Sequence, residues 1–324
     1  MKSFNFQQVL RASGKFVLPF YFLLLTCFAV SAQTLAPDGP GKDAQWATAA
    51  KQAVGTSATT KSKVWFTLAQ GVMTEVYYPD VTVANVHLLQ FIVVNPKTKK
   101  VETEQDDAVH KTRSLPAYSS ELFGGITDAF LAYSHVRYVP MAFEQVMTSK
   151  SQTWSLTKRY SADPKRNVVL IQVSFDKKDP DLELYVYYDP SIANSGMNDT
   201  AFTLGRHMVA TEARISSALT CKLCVFSEHT NGFYGVNDGL TQLKQSGRIT
   251  SKYERAENGN VVQLAKVGTT SARKKFADVF SLGFGESTDE AIRNSNEALN
   301  EYEKGLRTYQ REWLEYVLKL HKVG

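Results

Sequence analysis

The sequence has 324 residues, of which 37 are Lys or Arg and 32 are Asp or Glu. The charges of the first 32 residues are Lys2, Arg11 and Lys15, so subtracting these three leaves 34 basic against 32 acidic residues in the rest. A near-neutral chain without a basic patch interleaved with aromatic residues does not indicate a nucleic-acid partner.

The first 32 residues have the pattern of a secretory signal peptide. A positively charged start precedes the apolar run Phe16–Val30, and Val30-Ser31-Ala32 ends in a small residue that suits signal peptidase. The run contains Pro19 and is short for a membrane span, which needs about 20 residues. We expect cleavage after Ala32, a periplasmic or secreted protein, and no membrane segment in the mature chain. An uncleaved anchor and lipidation at Cys27 are the alternatives.

The segment Leu35–Lys42 is predicted to be a surface lead-in, because it contains two Pro and two Gly. Trp46 follows among small residues, and we expect it to pack this lead-in onto the main body.

Residues 64–79 predict a β-hairpin. Val64–Leu68 has the β-branched and aromatic composition of a strand, and Ala69-Gln70-Gly71 is expected to form a three-residue loop. Val72–Tyr78 is the predicted return strand, which Pro79 ends because it cannot donate to a ladder.

Alternation along this return strand assigns its side chains to two faces. Val72, Thr74, Val76 and Tyr78 are expected on one face, and Met73, Glu75 and Tyr77 on the other. The simplest interpretation of Glu75 is an ion pair with a cross-strand Lys or Arg.

From Val64 to about Gly285, short strands alternate with turn signals, and no amphipathic helix is predicted. About fifteen strands indicate a mainly-β chain that forms a large antiparallel sandwich. The clearest predicted strands are Phe130–Val139, Thr153–Tyr160, Leu170–Phe175, Leu182–Tyr188, Met208–Ala213, Val261–Val267 and Phe276–Phe284.

The motif Cys221-Lys222-Leu223-Cys224 lies between two predicted strands. A structural zinc site would need a second Cys pair, and a redox motif would need a helix N-terminus. A local disulfide and two buried free thiols both remain open.

Two polar stretches were considered as sites. Asn237 and Asp238 offer oxygen atoms that could bind calcium, although tight turns use the same residues and are the favoured interpretation. The acidic residues Glu102, Glu104, Asp106 and Asp107 are expected to form a solvated loop. We predict no metal and no other cofactor.

After Gly285 the pattern becomes helical. Ser287 and Glu290 form a predicted capping box, and Gly305 is the expected place for a bend or break. An apolar stripe with the spacing of one helix face continues to the end of the chain and comprises Leu299, Tyr302, Leu306, Tyr309, Trp313, Val317 and Leu320.

Several of these segments, taken together, resemble the N-terminal domain of bacterial glucoamylases and glucodextranases, glycoside hydrolase family 15. Besides residues 64–79, the segments that match in order are Val54-Gly55-Thr56-Ser57, Leu89-Gln90-Phe91-Ile92-Val93, Asn231-Gly232-Phe233-Tyr234-Gly235-Val236-Asn237-Asp238-Gly239, Asn258-Gly259-Asn260-Val261 and Leu282-Gly283-Phe284-Gly285. The chain departs from the family at His87-Leu88, where Arg-Asp is usual, so an ion pair of the family there is not carried over.

The resemblance implies a mutarotase-like super-β-sandwich at residues 33–285 and a helical linker at residues 286–324. In the family, the linker leads to an (α/α)6 barrel that holds both catalytic glutamates and releases glucose from α-glucans by inverting exo-hydrolysis. We expect this chain to end near where that barrel would begin, so no residue of it is assigned a catalytic role.

The expected partner is such a barrel, in the same chain or from a split gene, with an α-glucan as a further candidate ligand. Trp65, Glu75, Tyr77 and Tyr78 are the candidates for a carbohydrate-facing or inter-domain surface.

The helix is expected to divide its contacts. The part from Ala291 to Tyr302 should dock on the sandwich, whereas Tyr309, Trp313, Val317 and Leu320 should stay partly exposed as an interface for the barrel, with Trp313 at its centre. A stand-alone carbohydrate-binding module and a structural protein that binds through this helix are the alternative functions.

Overall fold

The computed structural model describes residues 34–116, 138–267 and 275–320. The predicted signal peptide and residues 130–137 of one predicted strand lie outside the described residues. Within the described ranges, 17 strands form two antiparallel sheets. The prediction of a mainly-β antiparallel sandwich followed by helices is therefore confirmed. No helix in these ranges is long and apolar enough to cross a membrane.

The first sheet has eight strands in the order β1-β2-β3-β4-β10-β16-β14, with β5 also paired to β4. Its members are β1 (Ala53–Thr56), β2 (Trp65–Ala69), β3 (Val72–Tyr77), β4 (Val86–Asn95), β5 (Lys100–Thr103), β10 (Glu183–Pro190), β14 (Phe226–Phe233) and β16 (Val261–Val267).

The second sheet has nine strands in the order β15-β11-β12-β13-β17-β9-β8-β7-β6. Its members are β6 (Ala108–Pro116), β7 (Tyr138–Ser149), β8 (Trp154–Ala162), β9 (Val168–Lys177), β11 (Asp199–Leu204), β12 (His207–Glu212), β13 (Ile215–Cys221), β15 (Arg255–Gly259) and β17 (Lys275–Gly285).

The main core lies between the two sheets. Aromatic pairs join the sheets across it, with Phe91 5.3 Å from Phe280 and Phe66 6.1 Å from Tyr160 between ring centroids. Each fully buried side chain of this size contributes roughly 1.5–3 kcal/mol of transfer free energy. This core therefore holds the two sheets together as one sandwich.

The hairpin of β2 and β3 is confirmed, but its details differ from the prediction. Ala69 pairs with Val72, so the turn has two residues, Gln70 and Gly71, with φ of 50° and 80°. Positive φ at both positions is the pattern of a type I′ turn, whose twist matches that of the strands.

A β-bulge then breaks the alternation predicted for β3. Phe66 pairs with Val76 while Leu68 pairs with Met73, so an extra residue is accommodated on β3. Met73 and Val76 both enter the main core. The assignment of Met73 and Val76 to opposite faces was therefore wrong.

Two α-helices, besides the 3₁₀ helix Ile192–Asn194, interrupt the region in which none was predicted. They are α1 (Glu104–Asp107), which is capped by the Thr103 hydroxyl, and α2 (Gly239–Ser246), which ends at Gly247 in the left-handed conformation. Leu243 of α2 packs on apolar side chains of the outer face of the first sheet, including Leu264. Such short helices leave too few turns for a periodic signal in the sequence.

The expected anchoring of the lead-in by Trp46 is wrong, since this side chain is 68% exposed. The segment is held instead by Ala36, which is buried, and by backbone hydrogen bonds. The Lys42 N–H donates to the Tyr234 carbonyl at 3.0 Å, and the Asn260 N–H donates to the Pro40 carbonyl at 2.8 Å.

The C-terminal segment forms two helices, α3 (Thr288–Asn300) and α4 (Tyr302–Leu320). The Ser287 hydroxyl accepts the Glu290 N–H at 3.3 Å, as predicted. The Glu290 carboxylate accepts the backbone N–H of Glu286 rather than that of Ser287. The break falls at Glu301, whose φ is −99° and ψ is 14°. The prediction of a break at Gly305 was wrong, because Gly305 lies inside α4.

The helix stripe packs further along the sandwich than predicted. Tyr309 is 1% and Trp313 is 8% exposed, and both belong to the main core. The Trp313 indole N–H donates to the Thr56 carbonyl at 3.1 Å, and the Tyr309 hydroxyl lies 2.7 Å from the Met141 carbonyl. The expectation that Tyr309 and Trp313 form an exposed interface is therefore wrong.

The end of α4 differs from this buried part. Val317 is half-buried and Leu320 is 57% exposed. Only the last turn of α4 thus keeps the accessible apolar side chains that the sequence predicted for a longer stretch.

Candidate functional site

The outer face of the first sheet carries polar and aromatic side chains where β3, β4 and β10 meet. On β10, Val186 and Tyr188 enter the main core, while Tyr187 lies on the opposite face. Asp189 follows the same alternation as Tyr187. The pleat therefore brings groups from separate strands to one surface.

Glu75 forms the ion pair that the sequence suggested. Its Oε2 lies 2.5 Å from the Lys51 ammonium and accepts the Tyr77 hydroxyl at 3.1 Å. Lys51 precedes β1, so it reaches Glu75 across β2 rather than from a directly paired strand. Burial and then the Glu75 charge raise the pKa of Tyr77 to about 12, so its hydroxyl remains a donor at neutral pH.

Three of the four surface candidates lie together. Trp65 pairs with Tyr77 in the β2–β3 ladder and is 36% exposed, and the Tyr77 hydroxyl donates to Glu75. Tyr78 was assigned wrongly to this surface. It is 4% exposed and stacks on Phe284 with ring centroids 5.7 Å apart, in the main core that also holds Val76, two residues before it.

His87 and Asp189 form a second pair on this face. The His87 Nδ1 lies 2.9 Å from Asp189 Oδ2, and the Asp189 side chain is 3% exposed. Burial disfavours the imidazolium, but the hydrogen bond and the charge of Asp189 outweigh it and raise the pKa of His87. A histidine–carboxylate hydrogen bond, which becomes an ion pair when His87 is protonated, thus lies at the place where the sequence departs from the family pattern.

This pair predicts how stability depends on pH. A raised pKa means that the folded state holds the His87 proton more tightly than the unfolded state does. The stabilisation is fully present below the unfolded pKa of 6.5 and is lost as pH rises through the folded value. We expect the urea midpoint to fall between about pH 6 and 8 more steeply in the wild type than in His87→Gln.

His207 provides the matched control for that experiment. Its pKa is lowered by burial and by the Arg206 charge, so His207→Gln should change the pH profile in the opposite direction. Parallel wild-type and His87→Gln profiles would contradict the assignment.

A polar cleft opens beside this pair. It has a volume of about 690 Å³, within the roughly 300–1,000 Å³ that small-molecule sites occupy. A smaller cavity continues from it to His87 and Asp189, sharing Gln45 and Tyr234 with it. The cleft is lined by Lys42, Asp43, Gln45, Tyr187, Tyr234, Gly235, Asp238, Leu240, Thr241 and Lys244.

The oxygens considered for calcium are engaged with protein donors. Asp238 is the N-cap of α2 and accepts the Thr241 N–H at 3.0 Å and the Gly235 N–H at 2.8 Å. The Asn237 side-chain oxygen accepts the Phe233 N–H at 2.8 Å. These contacts are those of the tight turn that the sequence analysis favoured.

We expect Asp238→Ala to lower the free energy of unfolding by about 1 kcal/mol, within the 0.5–2 kcal/mol range measured for helix N-caps. The substitution leaves the first N–H groups of α2 without their acceptor. Asp238→Asn keeps an acceptor and should lose much less. Thermal unfolding of both variants tests this, and an Ala variant as stable as the Asn variant would contradict the capping role.

Cys221 and Cys224 are joined by a disulfide. The Asp278 carboxylate lies beside them and accepts the Leu223 and Cys224 N–H groups at 3.0 and 2.7 Å. Of the two alternatives left open by the sequence, the structure has the local disulfide.

The acidic segment near residue 104 was interpreted wrongly as a solvated loop. Glu104 is fully buried and its Oε2 lies 2.7 Å from the Lys158 ammonium, which is also fully buried. Lys158 further donates to the Gly71 carbonyl at 2.9 Å. Burial raises the pKa of Glu104 and lowers that of Lys158, and each partner's charge opposes this effect.

A signal for this buried pair was present in the sequence. Lys158 shares the apolar face of β8 with Trp154, Leu156 and Tyr160, all of them buried. A lysine at an inward position of a strand needs an acidic partner. Glu102, also in this acidic segment, accepts the Trp154 indole N–H at 2.9 Å.

Asp199 and Glu212 are two carboxyl groups that lie close together, as the acid and base of a glycosidase do. Asp199 is fully buried, and its Oδ2 accepts the Ile192 N–H at 3.2 Å. Burial and, to a smaller extent, Glu212 raise its pKa to about 9. Asp199 has no exposed surface with which to contact a substrate, so its contacts are structural.

Comparisons with known proteins agree with this architecture. Residues 36–318 match the family model described as Glucodextranase, domain N. A glucoamylase from Clostridium sp. (strain G0005) is 32% identical over 294 residues, which are 88% of this chain and 38% of that protein.

A solved structure shows the same fold. The crystal structure of a bacterial glucoamylase complexed with acarbose matches with a TM-score of 0.75 and 30% identity, over 87% of this chain and 39% of that one. The chain therefore spans about two-fifths of the length of these relatives. It belongs to the glucodextranase domain N family, the N-terminal domain of glucoamylase-type glycoside hydrolases.

Proposed function

We propose that the chain is the non-catalytic domain of a hydrolase that releases glucose from α-glucans by inverting exo-hydrolysis. In this proposal it works beside a helical catalytic domain, supplied by the same polypeptide or by a separate one. The observation that carries the proposal is the match of residues 36–318 to domain N, in relatives of which the chain covers only 38–39%.

The accessible surfaces support a docking role for two regions. The group of Trp65, Glu75 and Tyr77 combines a partly exposed indole with an ion-paired carboxylate. The last turn of α4 adds Val317 and Leu320. Aromatic side chains of this kind often anchor protein interfaces.

A chimera tests the proposal. Residues 34–320 of this chain would replace the corresponding segment of the Clostridium glucoamylase, and glucose release from maltose and starch would be measured. We expect the chimera to retain activity that deletion of the segment abolishes. A chimera that folds but is no more active than the deletion would contradict the proposal.

Variants of the chimera refine the test. Trp65→Ala with Leu320→Asp should weaken activity or association, while Leu204→Asp, at a side chain that is 53% exposed on the second sheet, serves as the control. If the double variant and the Leu204→Asp control lost the same amount of activity, the assignment of a specific docking surface would be wrong.

We also propose that the protein is exported. The Cys221–Cys224 disulfide supports this proposal, because disulfides persist in oxidising compartments. N-terminal sequencing of protein from a periplasmic or extracellular fraction should begin at Gln33, and a mature protein that begins at Met1 would overturn it.

A stand-alone carbohydrate-binding module is the second candidate function. The observation that favours it is the polar cleft beside α2, with Tyr187 and Tyr234 in its lining. The two functions are compatible, because a non-catalytic domain can bind the glucan on which a neighbouring domain acts.

A further inference from the structure

The cleft beside α2 is built from three separate parts of the chain. One part is the end of the lead-in with the residues just after it, namely Lys42, Asp43 and Gln45. The second part is Tyr187 of β10, and the third is the segment from Tyr234 to Lys244. The Lys42 N–H donates to the Tyr234 carbonyl at 3.0 Å, which fixes this segment against the opposite side of the cleft. The cleft is therefore held in shape by the fold.

The charges in the lining balance each other. Lys42 and Lys244 are cationic, while Asp43 and Asp238 are anionic. Asp238 is occupied by the cap of α2. The structure gives no ion pair for Lys42, Asp43 or Lys244 within residues 34–116, 138–267 and 275–320. These groups therefore remain available as donors and an acceptor for a ligand.

This balance indicates the class of ligand. A phosphate or carboxylate would gain from the two lysines but would meet the carboxylates of Asp43 and Asp238. A neutral ligand with many hydroxyl groups can use both kinds of partner, since each hydroxyl donates and accepts one or more hydrogen bonds. Gln45 and Thr241 add further groups of the same kind.

The aromatic residues favour a sugar among such ligands. Tyr234 is a half-buried residue of the lining and Trp46, one residue beyond Gln45, is 68% exposed, whereas Tyr187 is only 2% exposed. A tryptophan is seldom so exposed in a folded protein. Aromatic rings offer an apolar face with a polar tip, which suits the C–H faces and hydroxyl edges of sugar rings.

We propose that the cleft beside α2, together with Trp46, binds a neutral α-glucan oligosaccharide. The choice of an α-glucan among sugars rests on the proposed function. The site is separate from the group of Trp65, Glu75 and Tyr77, so the domain can hold a glucan while that group contacts another domain.

Calorimetric titration of the purified chain with maltoheptaose tests the proposal. We expect saturable binding that Trp46→Ala and Asp43→Ala each weaken at least about tenfold. Both side chains are exposed, so the thermal unfolding midpoint should stay the same. Leu204→Ala is the control, because it truncates an apolar side chain that is 53% exposed on the second sheet, outside the cleft, and should leave the affinity unchanged.

Three results would overturn the proposal: no binding of maltoheptaose, affinity lost in Leu204→Ala but kept in Trp46→Ala, or inorganic phosphate displacing the oligosaccharide. None of these results predicts whether the chimera is active, because the activity of the chimera depends on docking between domains and not on the cleft. Conversely, binding with the expected variant pattern would stand even if the chimera were inactive.

Discussion

Replacing Lys158 with methionine is expected to lower the free energy of unfolding by about 3–5 kcal/mol, the usual cost of breaking a buried ion pair. The change leaves the fully buried Glu104 carboxylate without its partner at 2.7 Å and the Gly71 carbonyl without its donor. Lys158 connects the second sheet to α1 and to the β2–β3 turn, so the loss affects contacts between the layers.

Urea unfolding with matched variants measures this effect. Lys97→Met removes one side of an exposed pair with Asp181, whose side chains are 72% and 37% exposed, and should cost less than about 1 kcal/mol. The double variant Lys158→Met with Glu104→Leu should recover much of the loss, because no unpaired charge remains buried. A Lys158→Met variant no less stable than Lys97→Met would show that the pair is not buried as described.

Trp313→Ala is expected to destabilise the sandwich by about 3–5 kcal/mol, the range for removing a large buried aromatic side chain. The indole is 8% exposed and its N–H donates to the Thr56 carbonyl. Its removal would leave a cavity beside the end of β1 and would take one of two donors from the Thr56 carbonyl, which keeps the Tyr309 hydroxyl at 3.1 Å. This result would show that α4 belongs to the core.

Leu320→Ala on the same helix is the control. This side chain is 57% exposed, and its truncation should change stability by no more than about 0.5 kcal/mol. If Trp313→Ala were as mild as Leu320→Ala, α4 would be a peripheral linker, as the sequence alone suggested.

The sandwich could be predicted from the sequence because period-two alternation reports a strand buried on one face. Val261–Val267 was predicted with the bounds that β16 has, and Phe276–Phe284 differs from β17 by one residue at each end. The β3 bulge could not be predicted, since it depends on which residues of β2 pair with it. For this reason Met73 and Val76 were placed on opposite faces.

The apolar stripe of α3 and α4 shows a second limit of sequence patterns. Its periodicity identified positions that are buried in α3 and α4, including Tyr309 and Trp313, whereas Val317 is half-buried and Leu320 is exposed. Periodicity gives the face of a helix and not its partner, so it could not distinguish packing on the sandwich from packing on another domain. The Thr56 and Met141 carbonyls that accept hydrogen bonds from this face are over 160 residues away in sequence.

The surface sites were predictable only in part. Glu75 and Tyr77 could be placed together from alternation, and the ion pair was anticipated without its partner Lys51. The cleft beside α2 combines residues 42–45 with residues 187 and 234–244. No local pattern links segments so far apart, and α2 is too short to have been recognised.

The central claim is that this domain is non-catalytic and depends on another domain for hydrolysis. The direct measurement is glucose release from maltose and starch by the purified chain alone, and we expect none above the buffer blank. Glucose release that survives repurification and is abolished by Asp199→Asn or Glu212→Gln, the close carboxyl pair, would contradict the claim.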